Sequence, residues 1–556
     1  EMTSSLVGSE MCIRDRTSIV PSIGEIANIS VRYEWICKII AAIIGFAKDV
    51  GLGIILFTII LKLITLAPDV WSRVSMKKNA LKMEAMKEDL EKLQKQYAKN
   101  KDLYQQKMMA LYKKNGYSAF SACLPTIITL VFFFIVIGAF NSYSQVSERD
   151  IFDGMRVAYN QSIEKVAAEE NSSVKKVETT DDKGNVHVAY YLDYGNIFAK
   201  KGISGCFVVV GDDYAADRTK AADLIAVYGK DIEKIIRADG TFNPDYFEFK
   251  KIIDNEVQSG LIKRAEAAGL KDALITAGAI SEKEGVYYIM DETLFWETCP
   301  DLAAKYRVLK DKEKPEDKDE TDYAAIIENA DFATEKASFE AKAEAKFTEE
   351  LFKIIESKEI EEVREGARKA AAEWYEGDGN NARSVIFPWV KNIWAADCSW
   401  TTALPASNDE LSKKIDLKIS ETDYEELTYN LGRYKEKGFK NGNGWFILVA
   451  LSILSMAGST IIMNKTQKTQ MQLSSVDGDN STAASTQKMM TWMMPIMFGI
   501  FSFIYSAAFS IYMVTNSLLS TGSTLLINLI VEKSFKKKIE KAEQEKMENH
   551  KYGKMR

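Results

Sequence analysis

Long apolar runs alternate along this chain with long, strongly charged ones. A helix needs about 20 mainly apolar residues to cross a hydrocarbon core, and three runs come near that length. A fourth run, Met489 to Val531, has no charged residue over 43 positions, enough for two crossings and a tight turn near Ser506 to Ser510. The pattern predicts five membrane spans, at 51–67, 123–140 and 445–463 and two within 489–531.

The charges between the spans predict the topology. Lys and Arg outnumber Asp and Glu by twelve to five in residues 70–118, three to two in 464–488 and nine to four in 533–556. Five spans place these segments on one side, which the positive-inside rule makes cytoplasmic. We therefore expect the N-terminus outside and the basic tail, 532–556, in the cytoplasm.

The segment between the second and third spans has the opposite charge. Residues 142–443 hold 42 Lys and Arg against 60 Asp and Glu, and structureless connections of such length are uncommon. Strand-like runs ("VHVAYYLDY", "CFVVVGD", "GVYYIM") and a charged helical stretch from Ala333 to Tyr375 predict an α+β domain. The predicted fold is an α-helical integral membrane protein, a five-span bundle formed by 51–141 and 444–531, with this domain inserted on the extracytoplasmic side.

Two further helical elements flank the first span. Residues 33–48 fit a helix lying in the outer interface, with a sixth span as the alternative. Residues 70–118 have helical periodicity interrupted at 98–102, which predicts an antiparallel cytoplasmic hairpin. This hairpin is either a solvated linker or an adaptable client-contacting surface, because methionine side chains repack easily; its candidate contacts are Met83, Met86, Met108 and Met109.

The composition argues against several chemistries. Six scattered cysteines without a CxxC pair and only two histidines speak against a zinc site or a Cys/His catalytic pair. No phosphate-binding loop and no GxSxG elbow occurs. We expect no enzyme activity, no cofactor and no metal. Cys206, Cys299 and Cys398 leave room for one disulfide of unreadable pairing. Residues 1–16 lack the apolar core of a signal peptide, and we interpret them as a non-native or unstructured leader outside the fold.

One charge stands inside the first span, at Lys62 of "IILFTIILKLITLAP". A lysine at the centre of a membrane helix costs about 2.5–3.5 kcal/mol, so the ammonium either snorkels to the cytoplasmic headgroups or faces a wet cavity. None of the five predicted spans contains an acidic residue, which argues against an ion-coupled transporter. Polar side chains that could share such a cavity are Thr58, Ser459, Thr460, Tyr512, Thr515 and Asn516, although each is also a plausible interhelical hydrogen-bonding group.

Four blocks resemble one known family: "GLGIILFTIILKLITLAP", "QKMMALYKKNGYSAFSACLP", "FPWVKNIWAADCSW" and "TQKMMTWMMPIMFGIFSFIYSAAFSIYMVTN". With the basic hairpin they cover residues 33–141 and 384–540. Their order and spacing resemble the YidC/Oxa/Alb membrane protein insertases of the five-span Gram-positive type. The acidic insert is not part of that family's common core.

The resemblance implies a multi-pass insertase and chaperone of the bacterial plasma membrane, which inserts and helps fold new membrane proteins without nucleotide hydrolysis. A hydrophilic groove open to cytoplasm and lipid would hold Lys62 in the place of the family's groove arginine, four residues after Thr58. Its partners would be nascent membrane proteins and lipids, with a Sec translocon and the ribosome as further candidates and no DNA. The alternatives are a channel or solute transporter, or an anchored receptor acting through the insert.

Overall fold

The computed structural model is mostly helical and forms two compact units. One unit contains the described residues up to Ser22 and Asn160–Ala367, and the other contains Ile23–Tyr159 and the chain from Arg368 onward. The residues described are 18–97, 100–116, 119–180, 184, 186–210, 213–241, 243, 247–283, 285–306, 332–377, 380, 382–466, 493 and 496–553.

The helices are α1 (Glu34–Ala47), α2 (Val50–Gln96), α3 (Lys101–Lys114), α4 (Ala119–Ala168), α5 (Tyr194–Lys201), α6 (Ala221–Tyr228), α7 (Lys230–Glu233), α8 (Phe247–Ala267), α9 (Lys271–Ala277), α10 (Glu292–Thr298), α11 (Pro300–Tyr306), α12 (Ala333–Glu376), α13 (Asn408–Lys414), α14 (Glu421–Thr428), α15 (Ile447–Thr466), α16 (496–504) and α17 (Ala507–Gly553). The strands are β1 (Ile19–Val20), β2 (Val174–Thr180), β3 (Val186–Leu192), β4 (Phe207–Val210), β5 (Asp213–Ala216), β6 (Ile280–Lys283) and β7 (Val286–Ile289).

Two helical segments among the described residues are long and apolar enough to cross a membrane, Val50–Trp71 in α2 and Ala507–Val531 in α17. A shorter apolar segment, Ile447–Met463, lies in α15. The predicted second span falls within α4, and a break at Tyr505–Ser506 separates α16 from α17. Residues 467–492, which include the start of the predicted fourth span, lie outside the described part of the chain, so the five-span count stays a prediction.

Helix α2 does not end at the predicted span boundary. It continues through Pro68 as one 47-residue helix, so the first span and the first arm of the hairpin are continuous. Helix α3 begins at the Asn100 cap, whose side chain accepts from the Leu103 amide at 3.1 Å. The Lys82 ammonium donates to the Gly116 carbonyl, which brings the end of α3 back along α2 in an antiparallel hairpin.

Helix α1 has only 14 residues, about 21 Å, which is too short for the sixth span that the sequence left open. Its buried face includes Ile40 and Ile44, while Trp35 and Phe46 are exposed. It packs closely on α2, since a Cβ at Gly53 would lie 2.8 Å from the Ile44 Cα. Helix α1 thus packs one apolar face against α2 and exposes apolar side chains on another, as expected for a helix that lies in a membrane interface.

The connection that precedes α15 folds with the helices. The amides of Ala507 and Ala508, at the start of α17, donate to the carbonyls of Ala395 and Ile393 at 2.8 and 2.9 Å, which satisfies donors that a helix start leaves free. The buried Asp397 carboxylate accepts from the Trp445 amide just before α15 and from the Leu448 amide in its first turn. Residues 142–159 and 368–443, assigned to the insert from the sequence, therefore belong to the unit that carries the apolar helices.

The other unit is a mixed α and β structure. A three-stranded antiparallel sheet has the order β1-β3-β2, and β4-β5 and β6-β7 form two hairpins. The three strand-like runs of the sequence correspond to β3, β4 and β7, and the predicted charged helix corresponds to α12. Helix α12 contributes Phe347, Leu351, Phe352 and Ile355 to the core.

No disulfide joins the cysteines of the described residues. Cys37, Cys206, Cys299 and Cys398 are free and buried, so the disulfide that the sequence allowed among the last three is not formed. Burial raises the pKa of the Cys206 and Cys299 thiols, which keeps them protonated and chemically inert.

Candidate functional site

A cavity of about 220 Å³ lies between α2, α4, α15 and α17. Most of its wall comes from α2 and α17, the two helices that contain the long apolar segments. The lining residues are Leu61, Lys62, Thr65, Asp69, Phe132, Met463, Tyr512, Asn516, Ser520 and Thr524. The cavity is therefore polar on two sides and lies at the depth of the predicted membrane spans.

Helical spacing explains why these side chains meet. Residues three, four and seven positions apart share a helix face, and Lys62, Thr65 and Asp69 have this spacing on α2. On α17 the polar residues recur every fourth position, from Tyr512 through Asn516 and Ser520 to Thr524. Two polar stripes on otherwise apolar helices thus face each other.

The main electrostatic feature of the cavity is an ion pair between Lys62 and Asp69. The Lys62 Nζ lies 2.5 Å from the Asp69 Oδ2, and the two side chains are 13% and 25% exposed. The Lys62 ammonium therefore faces the cavity. Asp69 was not among the candidates from the sequence, because the first span was predicted to end at residue 67. The signal that could have identified it is its position seven residues after Lys62, on the same face of a helix that continues through Pro68.

Tyr512 and Asn516 line the cavity as predicted candidates. The Tyr512 side chain is buried, and its ring lies 5.4 Å from that of Phe140. Thr65, Ser520 and Thr524 also line the cavity but were not singled out from the sequence. The four-residue spacing along α17 would have identified the last two.

The other four candidates lie outside this cavity lining. The buried Thr58 hydroxyl donates to the Ile54 carbonyl of its own helix at 2.7 Å, a local bond typical of threonine within helices. Ser459 accepts from the Thr521 hydroxyl at 2.6 Å, which links α15 to α17. Thr460 and Thr515 are half-buried. Thr58 thus bonds within its helix and Ser459 bonds between helices.

The hairpin methionines differ in exposure. Met86 is buried, Met108 is half-buried and Met109 is 63% exposed; the Met83 side chain lies outside the described residues. Met86 therefore packs within the hairpin, and Met109 is the methionine among the described candidates that offers a free apolar surface.

Apolar surface adjoins the polar cavity on α2. Leu63 and Ile64, next to Lys62 in sequence, are 66% and 63% exposed. On a membrane helix such side chains face lipid. A polar wall with charged groups and an apolar surface therefore adjoin each other on α2.

Comparison with known proteins adds an independent line of evidence. A family model described as 60Kd inner membrane protein matches residues 41–165 and 379–536, which together make up half of the chain. These residues include the cavity-lining segments of all four helices. No solved structure matches the chain.

Curated relatives carry the name "Membrane protein insertase YidC". The one from Clostridium perfringens is 32% identical over 104 residues, 19% of this chain and 42% of that protein. The one from Fusobacterium nucleatum is 30% identical over 97 residues, 17% of this chain and 45% of that protein. The one from Chlorobium limicola is 32% identical over 102 residues, 18% of this chain and 17% of that protein. The chain thus spans less than half the length of these relatives. On the family match, the chain belongs to the 60Kd inner membrane proteins, the YidC/Oxa family.

Proposed function

We propose that this protein is an insertase and chaperone for new membrane proteins, located in the bacterial plasma membrane. The observation that carries the proposal is the position of Lys62, whose ammonium faces a polar cavity between apolar helices. Membership of the family and the relatives named insertases support it.

The cavity acts as the polar groove of the insertion path. A client's acidic tail is attracted to Lys62, and the facing Asn516 and hydroxyl groups offer hydrogen bonds to its backbone. The apolar client segment leaves along the lipid-facing side chains next to the cavity, such as Leu63 and Ile64. The free energy of burying that segment drives the step, so no nucleotide is hydrolysed.

The proposed topology has the N-terminus outside and the C-terminus in the cytoplasm. Strand β1 pairs with β3 of the insert, Ile19 opposite Tyr191 and Val20 opposite Tyr190, which supports a topology with the residues before α1 and the insert on the same side of the membrane. Helix α2 leads from the cavity directly into the basic hairpin, which supports a cavity that opens toward the cytoplasm in this topology. Nascent chains and lipids are the proposed partners, with a Sec translocon and the ribosome as candidates.

The test is insertion of a single-span client with an acidic translocated tail into liposomes containing the purified protein. We expect Lys62→Glu to abolish insertion, because it repels the tail, and Lys62→Arg to retain it. Lys437→Glu, which makes the same charge change at an exposed position of the same unit, is the matched control. Insertion that is unchanged in Lys62→Glu would refute the role of this charge. Solute or ion flux without a client would instead favour the channel or transporter alternative.

A further inference from the structure

We propose that Asp69 is an exchangeable counter-ion of Lys62, which in the client-free protein occupies the place that a client's carboxylate takes during insertion. This inference rests on the proposed insertase function. Under this inference, Asp69 helps determine which clients bind at Lys62.

The charge balance of the cavity supports this role. Among the described lining residues, Lys62 and Asp69 are the charged ones, and their atoms are in direct contact at 2.5 Å. The described lining of the resting cavity therefore has no net charge. An unpaired ammonium at this depth would be costly, and the carboxylate offsets part of that cost.

The geometry also allows the pair to open. Both residues lie on α2, so breaking their contact requires no movement of one helix against another. Asp69 is about twice as exposed as Lys62, 25% against 13%, so its carboxylate can turn to solvent while the ammonium stays in the cavity. Replacing one carboxylate with another conserves charge, and the exchange therefore has a small net cost.

Exchange makes the site selective. A neutral tail offers nothing to replace the Asp69 carboxylate, and it leaves the ion pair closed. An acidic tail competes for Lys62 directly. Asp69 thus acts as a positioning residue that makes engagement depend on the charge of the client.

The experiment measures binding of acidic tail peptides, and of matched peptides with Asp changed to Asn, to the full-length protein in detergent. We expect Asp69→Asn to raise affinity for acidic tails by up to about fivefold, the upper end of the range for partly exposed ion pairs, and to leave affinity for neutral tails unchanged. Asp69→Glu, which keeps the pair, should behave as wild type. Asp89→Asn, an exposed position on the same helix, is the matched control.

A second measurement uses the unaltered protein. A carbodiimide joins a carboxylate and an amine in contact, so it should link Asp69 to Lys62 at rest. An acidic tail peptide with blocked amines should lower the yield of this link and produce a Lys62–peptide link, while its neutral counterpart should do neither. An internal link that acidic tails leave unchanged would overturn the exchange, as would an Asp69→Asn affinity gain that is absent or equal for both tails.

These outcomes separate the two proposals. If Lys62→Glu leaves insertion unchanged, the proposed role of the Lys62 charge in insertion fails. If Lys62→Glu abolishes insertion while the Asp69 experiments give the overturning results, the exchange fails alone.

Discussion

Arg368 and Glu426 form a buried, bidentate ion pair in the unit that contains the apolar helices. The Arg368 Nε and Nη2 atoms donate to the two Glu426 carboxylate oxygens, each at 2.8 Å, and the two side chains are 7% and 9% exposed. The Tyr159 hydroxyl also donates to Glu426, at 3.2 Å. The Glu426 carboxylate therefore links Tyr159 of α4 to Arg368 of α12.

We expect Arg368→Ala to be strongly destabilising, because it removes the guanidinium that pairs with both oxygens of the buried Glu426 carboxylate. Loss of one partner from a buried pair costs about 3–5 kcal/mol. Thermal unfolding of the purified protein should show a clearly lower midpoint for Arg368→Ala. Lys369→Ala removes a neighbouring, exposed cation and should leave the midpoint unchanged; equal midpoints for both variants would contradict the prediction.

The same contact makes removal of residues 160–367 a practical experiment. Tyr159 and Arg368 both reach Glu426, so a short Gly/Ser linker can join the two ends. We expect the shortened protein to keep basal insertion of a single-span client in liposomes, because the cavity lies wholly in the unit that remains, the one with the apolar helices. Complete loss of insertion by a correctly folded shortened protein would favour the receptor alternative.

Asn516 and Thr515 provide a matched pair for the cavity, since they are adjacent but only Asn516 lies in its lining. Asn516→Leu should lower client insertion, because it replaces a hydrogen-bonding amide with an apolar side chain. Thr515→Val should have little effect. Initial insertion rates in liposomes measure both variants, and a larger loss in Thr515→Val would mean that the functional surface is a different face of α17.

We expect the stability of the unit that contains Asn160–Ala367 to depend on pH through the Glu359 carboxyl. Burial raises the pKa of this carboxyl, although Lys201 Nζ lies 3.3 Å away and the Tyr228 hydroxyl 3.4 Å away. The folded state thus binds this proton more tightly than the unfolded state does, and its contribution to stability is lost as pH rises from the ordinary value of 4.5 through the raised pKa.

Glu359→Gln should remove this contribution. Hydrogen exchange of buried α12 amides, measured at several pH values, should show a smaller decline of protection with rising pH in the variant than in the wild type. Equal declines would show that Glu359 does not titrate differently in the folded and unfolded states.

The sequence by itself determined the features that depend on local pattern. Apolar run length identified the helices around Lys62 and Tyr512, and short runs typical of strands identified β3, β4 and β7 of the insert, because burial in lipid or in a sheet imposes those patterns directly. The lone lysine in the first span was likewise evident from the sequence, since an intramembrane charge is costly.

Only the tertiary structure decided which polar groups meet. Thr58 and Asn516 are both polar residues in apolar helices, yet one bonds to its own backbone and the other lines the cavity, because the rotation of each helix is set by packing against its neighbours. Asp69 entered the site because α2 continues through Pro68, a proline that from the sequence marked the end of the span. Local pattern fixes where a helix lies along the chain, whereas contacts between helices fix which of its faces forms the site.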